Sequence, residues 1–364
     1  MRRRTFLRGA LAGALARTGR PQPAAERPHI LLVIASDLAA WMLGCYGNQE
    51  IQTPNIDRLA VQGVRFENCF VCTPVSSPSR ATLFTGRTPM QHGIQDLPVQ
   101  PPSFRDEVFL SDILAAHGYL CGYFGRWDMG DEGQAQHGFS PWYVADEADL
   151  VLRRAIEFME QARAKKEPWL AVAAYAESAG TGLDDRVGAL VDYLEEKKLS
   201  EDTLVVFTSD RGHQQNVSDP DAISMREEVI RVPLLMRWLG QIPPGRVRRE
   251  LVSTYDFMPS MLDLLRLPLP KGRNLCGRSY WPLATSRALG KWDERVYGYF
   301  RSTAMLREPQ YKLVLRNEGK GPNELCDLSA DSAGHANRIE DRALAHVRQS
   351  MTRDLNAWIK KYSR

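Results

Sequence analysis

The stretch "HILLVIASD", residues 29–37, is an almost unbroken apolar run, rich in β-branched residues, that ends abruptly in Ser36 and Asp37. So short a run, apolar at odd and even positions alike, reads as a strand buried on both faces, as in parallel sheets. The stretch "TLVVFTSD", residues 203–210, has the same pattern and also ends in an aspartate, Asp210. A carboxylate just past the carboxyl end of a buried parallel strand stands where open α/β sheets place their ligands. Either aspartate alone would read as the cap of a following helix. The echo between them points instead to a shared site for a hard cation such as Ca²⁺ or Mg²⁺.

Outward from these two runs, "WLAVAAY" (169–175) and "VPLLMRW" (232–238) read as further buried strands. "FLSDILAAHG" (109–118), "LVLRRAIEFMEQARAK" (150–165) and "DDRVGALVDYLEEKK" (184–198) carry the period of amphipathic helices. Strand alternating with helix predicts an α/β fold whose mostly parallel sheet is covered by helices on both faces. Near Lys291 the texture changes to short strands with turns, "ERVYGYF" and "YKLVLRN", and a last helix in "RALAHVRQSMTRDLNAWIKKY". The expected organisation is a main α/β domain over 28–290 and a small α+β subdomain over 291–364.

Residues 1–27 read differently. Arg3 and Arg4 precede Thr5, Phe6, Leu7 and Arg8, and a short, weakly apolar run leads to Ala14-Leu15-Ala16. That order resembles a twin-arginine export signal with a small-residue cleavage site, so a periplasmic or secreted protein is expected. The run is too short to span a membrane, and no other segment looks transmembrane. A chain of 364 residues, 43% hydrophobic and 25% charged, can bury a full core. Its formal charge of +3 and scattered basic residues exclude the basic stripe that a nucleic-acid partner requires. Six cysteines show no zinc-like repeat; Cys69 and Cys72 form a lone C-x-x-C with no second pair. An extracellular location permits disulfides, but no pairing is legible.

A second stretch, "CTPVSSPSRATLFTGR" (72–87), crowds three serines beside a proline and an arginine. Read locally, Ser77 is the N-cap of a helix, Pro78 its first residue and Gly86 its stop. Ser76 then falls just ahead of the helix, where free N–H groups and the positive dipole end gather anions. Arg80 adds a fixed fork of donors suited to phosphate, sulfate or carboxylate. A capped surface helix would need only one of these serines.

At this point the residues resemble a known family. Ser76-Ser77-Pro78-Ser79-Arg80, followed by Leu83, Thr85, Gly86 and Arg87, is similar to the signature of the sulfatases in its serine form. The similarity continues through "TPNIDRLAVQGVRFEN", "HGYLCGYFGRWDMG", "LDDRVGALVDYLEEKKLSEDTLVVFTSDRG", "EEVIRVPLL" and "YKLVLRNEGKGPNELCDLSAD". It implies an alkaline-phosphatase-like α/β domain with a smaller C-terminal domain. It further implies that Ser76 is oxidised to formylglycine by a maturation enzyme. The hydrate of that group would attack the sulfur of a sulfate ester beside a divalent cation, usually Ca²⁺. By the resemblance Ser76, Asp37 and Asp210 hold the cation, Arg80 and Arg126 assist catalysis, and Arg126, Arg211 and Ser178 contact the substrate.

The same comparison shows departures. The family's paired aspartates after the first strand stand here as Ser36 and Asp37, and its Asp-Asn or Asp-His pair as Asp210 and Arg211. Arg126 and Asp128 replace the lysine and histidine of its G-K-W-H stretch. Ser178 and Ala222 stand where a histidine and a lysine are usual, with Arg226 nearby. Losing one carboxylate and gaining one guanidinium at a cation site costs roughly 4 kcal/mol per pair at an effective dielectric of about 20. Loss of the histidines and the lysine removes help to the leaving alcohol commonly worth about 10²–10⁴-fold. Two functions are therefore carried forward: a hydrolase of carbohydrate or aryl sulfate esters, and a homologue that binds sulfated glycans without turnover. A phosphatase using unmodified Ser76 is a third, disfavoured by the few remaining metal ligands.

Overall fold

In chain order the first nine strands are β1 (His29–Ala35), β2 (Val64–Phe70), β3 (Leu120–Gly125), β4 (Trp142–Tyr143), β5 (Trp169–Ala174), β6 (Thr203–Ser209), β7 (Arg231–Arg237), β8 (Arg246–Arg248) and β9 (Val252–Ser253). They build one sheet ordered β4-β3-β5-β1-β6-β7-β2-β8, with β9 also paired to β2. This is a computed structural model, and it describes residues 27–94, 106–176, 182–213, 225–287, 290–316 and 322–363. β1 lies parallel between β5 and β6, and β3 is parallel to β5; β7 runs antiparallel to both β6 and β2. The sheet is thus mixed but mostly parallel, as the strand–helix alternation predicts.

Side-chain alternation explains the apolar runs. Ile30, Leu32 and Ile34 face one core cluster, and Leu31, Val33 and Ala35 face another on the opposite side. Both faces of β1 are dry from Ile30 to Ala35, so every position there is apolar. The helices are α1 (Pro54–Gln62), α2 (Ser76–Thr85), α3 (Pro89–His92), α4 (Leu110–Ala116), α5 (Ala148–Lys165), α6 (Leu183–Glu196), α7 (Glu227–Ile230), α8 (Phe257–Leu264), α9 (Trp281–Ala284) and α10 (Ala345–Tyr362). α1, α5 and α6 cover the second face through Ile56, Phe158 and Leu190, while α2, α4 and α8 cover the first through Phe84, Leu114 and Met258.

β10 (Val296–Phe300), β11 (Thr303–Arg307), β12 (Tyr311–Arg316) and β13 (Glu324–Asp327) form a separate antiparallel sheet in sequential order. α10 packs on it through Met351, Leu355 and Trp358. Val296, Phe300, Met305 and Val314 join the same cluster as Phe70 and Ile34, so the apolar core runs unbroken from the large sheet into the small one.

The expected start of α2 needs correction. α2 starts at Ser76, with Val75 in extended backbone as its N-cap and no side-chain cap. Ser79 N–H donates to the Val75 carbonyl at 3.0 Å, which moves the first turn ahead of Ser77. Pro78 is still tolerated there, because the first-turn N–H groups have no intrahelical acceptor to lose. Every residue of α2 is buried, so it is a core helix and not a capped surface one. All six cysteines are free thiols. The export signal, Ser178 and Ala222 lie outside the described residues. Among the described residues no helix is long and apolar enough to cross a membrane.

Candidate functional site

Strand register brings the singled-out residues to one edge of the sheet. Ala35 pairs with Ser209, so Ser36 and Asp37 leave β1 beside Asp210 and Arg211 leaving β6. The Ser209 hydroxyl lies 3.0 Å from the Ala35 carbonyl and 2.7 Å from that of Arg211, and accepts from Leu38 N–H at 3.2 Å. At the end of β3, Gly125 has φ +107°, and a Cβ there would lie 1.9 Å from the Ala174 carbonyl oxygen. Only glycine makes this turn, and it lets Arg126 N–H donate to the same carbonyl at 2.9 Å. β2 points the same way as β1, since two antiparallel steps through β7 restore direction. Its carboxyl end therefore delivers the start of α2, and Ser76, to this edge.

Arg80 reaches in from the first turns of α2, with none of its surface exposed. Its Nε and Nη2 both lie 2.9 Å from Asp210 Oδ2. Nη2 also donates to Ser36 Oγ at 2.9 Å, and Nη1 donates to Tyr123 Oη at 3.2 Å and to the Arg126 carbonyl. Ser36 Oγ donates in turn to Asp210 Oδ2 at 3.2 Å. A guanidinium has five N–H groups, and these protein partners account for them. Burial works against the Arg80 charge, but Asp210, Tyr123 and Asp128 outweigh it and hold its pKa above the ordinary value. Burial raises the Tyr123 hydroxyl, against the pull of Arg80. Arg80 is thus a fastener between α2, β1, β3 and β6.

Arg211 occupies the space in front of Ser76. Its Nη2 is 2.5 Å from Asp37 Oδ1, and its Nε donates to Ser76 Oγ at 3.3 Å. Burial pushes the Asp37 carboxyl above its ordinary value; Arg211 opposes the rise and Asp210 adds to it. Arg126 Nε sits 2.7 Å from Asp128 Oδ2; burial works against the Arg126 charge, but Asp128 and Asp146 together hold its pKa above the ordinary value. Asp37 and Asp128 are both left-handed, at φ 57° and 59°. Such backbone costs about 1–3 kcal/mol for a residue with a Cβ and concentrates at functional sites. Arg226 stands at the N-cap of α7, with Nη1 3.9 Å from Glu228 Oε1.

The donors do not fit a divalent cation. Asp37 is held by Arg211, Asp210 by Arg80, and the four charges cancel. Among the described residues no group of three or more His, Cys, Asp or Glu could hold a metal ion. Asp210 Oδ1 and Asp37 Oδ1 are both buried without a hydrogen-bond partner, the latter ion-paired to Arg211, but two such oxygens are far from the roughly six to eight that Ca²⁺ takes. Ser36 and Tyr123, which fix Arg80, were not legible as site residues: Ser36 read as a missing ligand, and Tyr123 as one aromatic in a buried strand. A cavity of about 330 Å³ lined by Tyr255, Arg278, Tyr297 and Trp358 includes none of these side chains.

Comparison with known proteins agrees with this architecture. The family described as Sulfatase matches residues 28–181 and 159–267, and that described as N-sulphoglucosamine sulphohydrolase, C-terminal, matches residues 221–361. Human arylsulfatase A is 28% identical, covering 86% of this chain and 79% of that protein. A structure of i-CgsB in complex with k-i-k-neocarrahexaose superposes with a TM-score of 0.80 at 25% identity, covering 93% of this chain and 94% of its own. One solved with its substrate D-glucosamine-2-N,6-O-disulfate gives 0.82 at 19% identity, covering 92% and 98%.

Proposed function

Since the chain belongs to the sulfatase family of the alkaline-phosphatase-like superfamily, we propose that it hydrolyses sulfate esters, on a carbohydrate or an aryl group, at Ser76. The observation that carries this reading is the Ser76 hydroxyl at the start of a wholly buried helix with the Arg211 guanidinium on it. The first turn of α2 and Arg211 together form a positive cradle for the sulfate oxygens. Arg126, partly exposed beside them, adds a second guanidinium for the same oxygens or the sugar. Formylglycine at Ser76, made by a maturation enzyme, would supply the oxygen nucleophile towards sulfur. Calcium is not part of the proposal, because its donors are already paired. The oligosaccharide bound by i-CgsB, a relative at 25% identity, supports a glycan substrate. Arg3, Arg4 and Ala14-Leu15-Ala16 support export as the route to it.

One observation favours the second reading, binding without turnover. Asp128 stands at the histidine position of the family stretch and is ion-paired to Arg126, so the imidazole that would serve the leaving alcohol is missing there. The two readings separate on protein from its native host, by the mass of the Ser76 peptide and by turnover of an aryl sulfate. A peptide lighter by two hydrogens, with turnover abolished in Ser76→Ala, is the result expected of the hydrolase. Turnover that persists in Ser76→Ala overturns the assignment. An unmodified Ser76 with saturable glycan binding and no turnover establishes the binder.

A further inference from the structure

We propose that Arg211 is a built-in substitute for the divalent cation, so that the pocket binds a sulfate group with no metal at all. The inference rests on the reading that this site takes a sulfate, and names what supplies the positive charge. Two contacts place the guanidinium between the nucleophile position and a carboxylate, where a bridging cation would lie: Nε on Ser76 Oγ at 3.3 Å and Nη2 on Asp37 Oδ1 at 2.5 Å. The hydrogen bond to Ser76 engages Nε and the ion pair engages Nη2, which leaves the two N–H groups of Nη1 for a tetrahedral oxyanion.

The placement is rigid. The Arg211 carbonyl is held by Ser209 Oγ at 2.7 Å, and the next residue, Gly212, donates to the Val229 carbonyl at 2.7 Å. A Cβ on Gly212 would lie 2.2 Å from the Glu228 carbonyl oxygen, so the chain passes where only glycine fits. A charge fixed in advance costs little reorganisation when the anion arrives. Charge balance agrees: Asp37 and Asp210 neutralise Arg211 and Arg80, so an added dication would meet a neutral cluster instead of an acidic one. Arg80 carries the structural pairing with Asp210, which leaves Arg211 the ligand role.

The test is isothermal titration of the full chain with inorganic sulfate, in EDTA and again with excess CaCl₂. Calorimetry is preferable to melting, because sulfate stabilises folded proteins generally by exclusion. The expected result is the same affinity in both buffers. Arg211→Asn should weaken binding in EDTA at least ten-fold, since a charge-assisted partner is lost. Arg211→Lys should retain part of the affinity, which guards against misfolding of the Asn variant. Ser36→Asp with Arg211→Asn should acquire calcium-dependent sulfate binding, having regained an oxygen-rich shell. Binding by the unmodified protein that requires calcium overturns the substitution while leaving the sulfate reading intact. Unchanged binding by Arg211→Asn in EDTA also overturns it. No sulfate binding in either buffer overturns the sulfate reading, and this inference with it.

Discussion

Arg80 illustrates how much of an active-site region can be scaffolding. Its guanidinium is wholly buried and joins Asp210, Ser36, Tyr123 and the Arg126 carbonyl. Removing one partner of a buried pair leaves the other charge unsolvated, which typically costs about 3–5 kcal/mol. Arg80→Ala should therefore lower stability by that order in urea unfolding. Arg80→Lys should lose less, because an ammonium keeps the charge even though it cannot span all four partners. A loss below about 1 kcal/mol for Arg80→Ala, the range of an exposed pair, would mean that Asp210 is satisfied some other way. Arg211 differs: it faces Ser76, and its removal should show in anion binding more than in folding.

Among the elements, a buried and a half-buried titratable group act on stability with opposite sign. Asp256 ends the 3₁₀ turn ahead of α8, accepting from Ser253 N–H and Arg278 N–H, both at 2.8 Å. Burial raises its pKa from 3.8 to about 6, against those two donors. The folded state holds a proton that the unfolded state releases, so this contribution is complete below pH 3.8 and is lost as pH rises through about 6. The amount is about 3 kcal/mol at 1.36 kcal/mol per unit. His29, at the start of β1, stacks on Trp169 with ring centroids 4.7 Å apart, and burial lowers its pKa from 6.5 to about 4. Its contribution is present above pH 6.5 and is lost as pH falls through about 4. The two slopes oppose each other across the same window. Asp256→Asn should leave stability rising with pH there, and His29→Phe should leave it falling. Urea midpoints measured across that window check both signs, and parallel profiles for the two variants would contradict the assignment.

Over the whole molecule, the large and small sheets share one apolar cluster, so the chain should behave as one folded body. Twin-arginine export carries folded cargo, which suits such a body with free thiols and no need of an oxidising compartment. Replacing Arg3 and Arg4 by lysine should retain the protein in the cytoplasm, as fractionation and immunoblotting would show. Unchanged secretion of that variant would remove the export reading.

The runs at 29–35 and 203–209 determined the sheet by themselves, because the six and seven buried residues they carry in succession fit a strand covered on both faces. The signature at 76–80 likewise pointed to the candidate site, since its serine–arginine spacing is local and survives any packing. Which arginine fastens and which faces the ligand was not local. Arg80 and Arg211 carry the same side chain, and only the fold decides that one points into the Asp210–Ser36–Tyr123 cage and the other onto Ser76. The start of α2 was likewise a tertiary decision: with the whole helix buried, backbone geometry at Val75 set the first turn, and the hydroxyl of Ser77 did not. The pairing of Asp37 and Asp210 with arginines follows the same logic. A carboxylate is a metal ligand only if no guanidinium reaches it first, and reach is a property of three-dimensional packing.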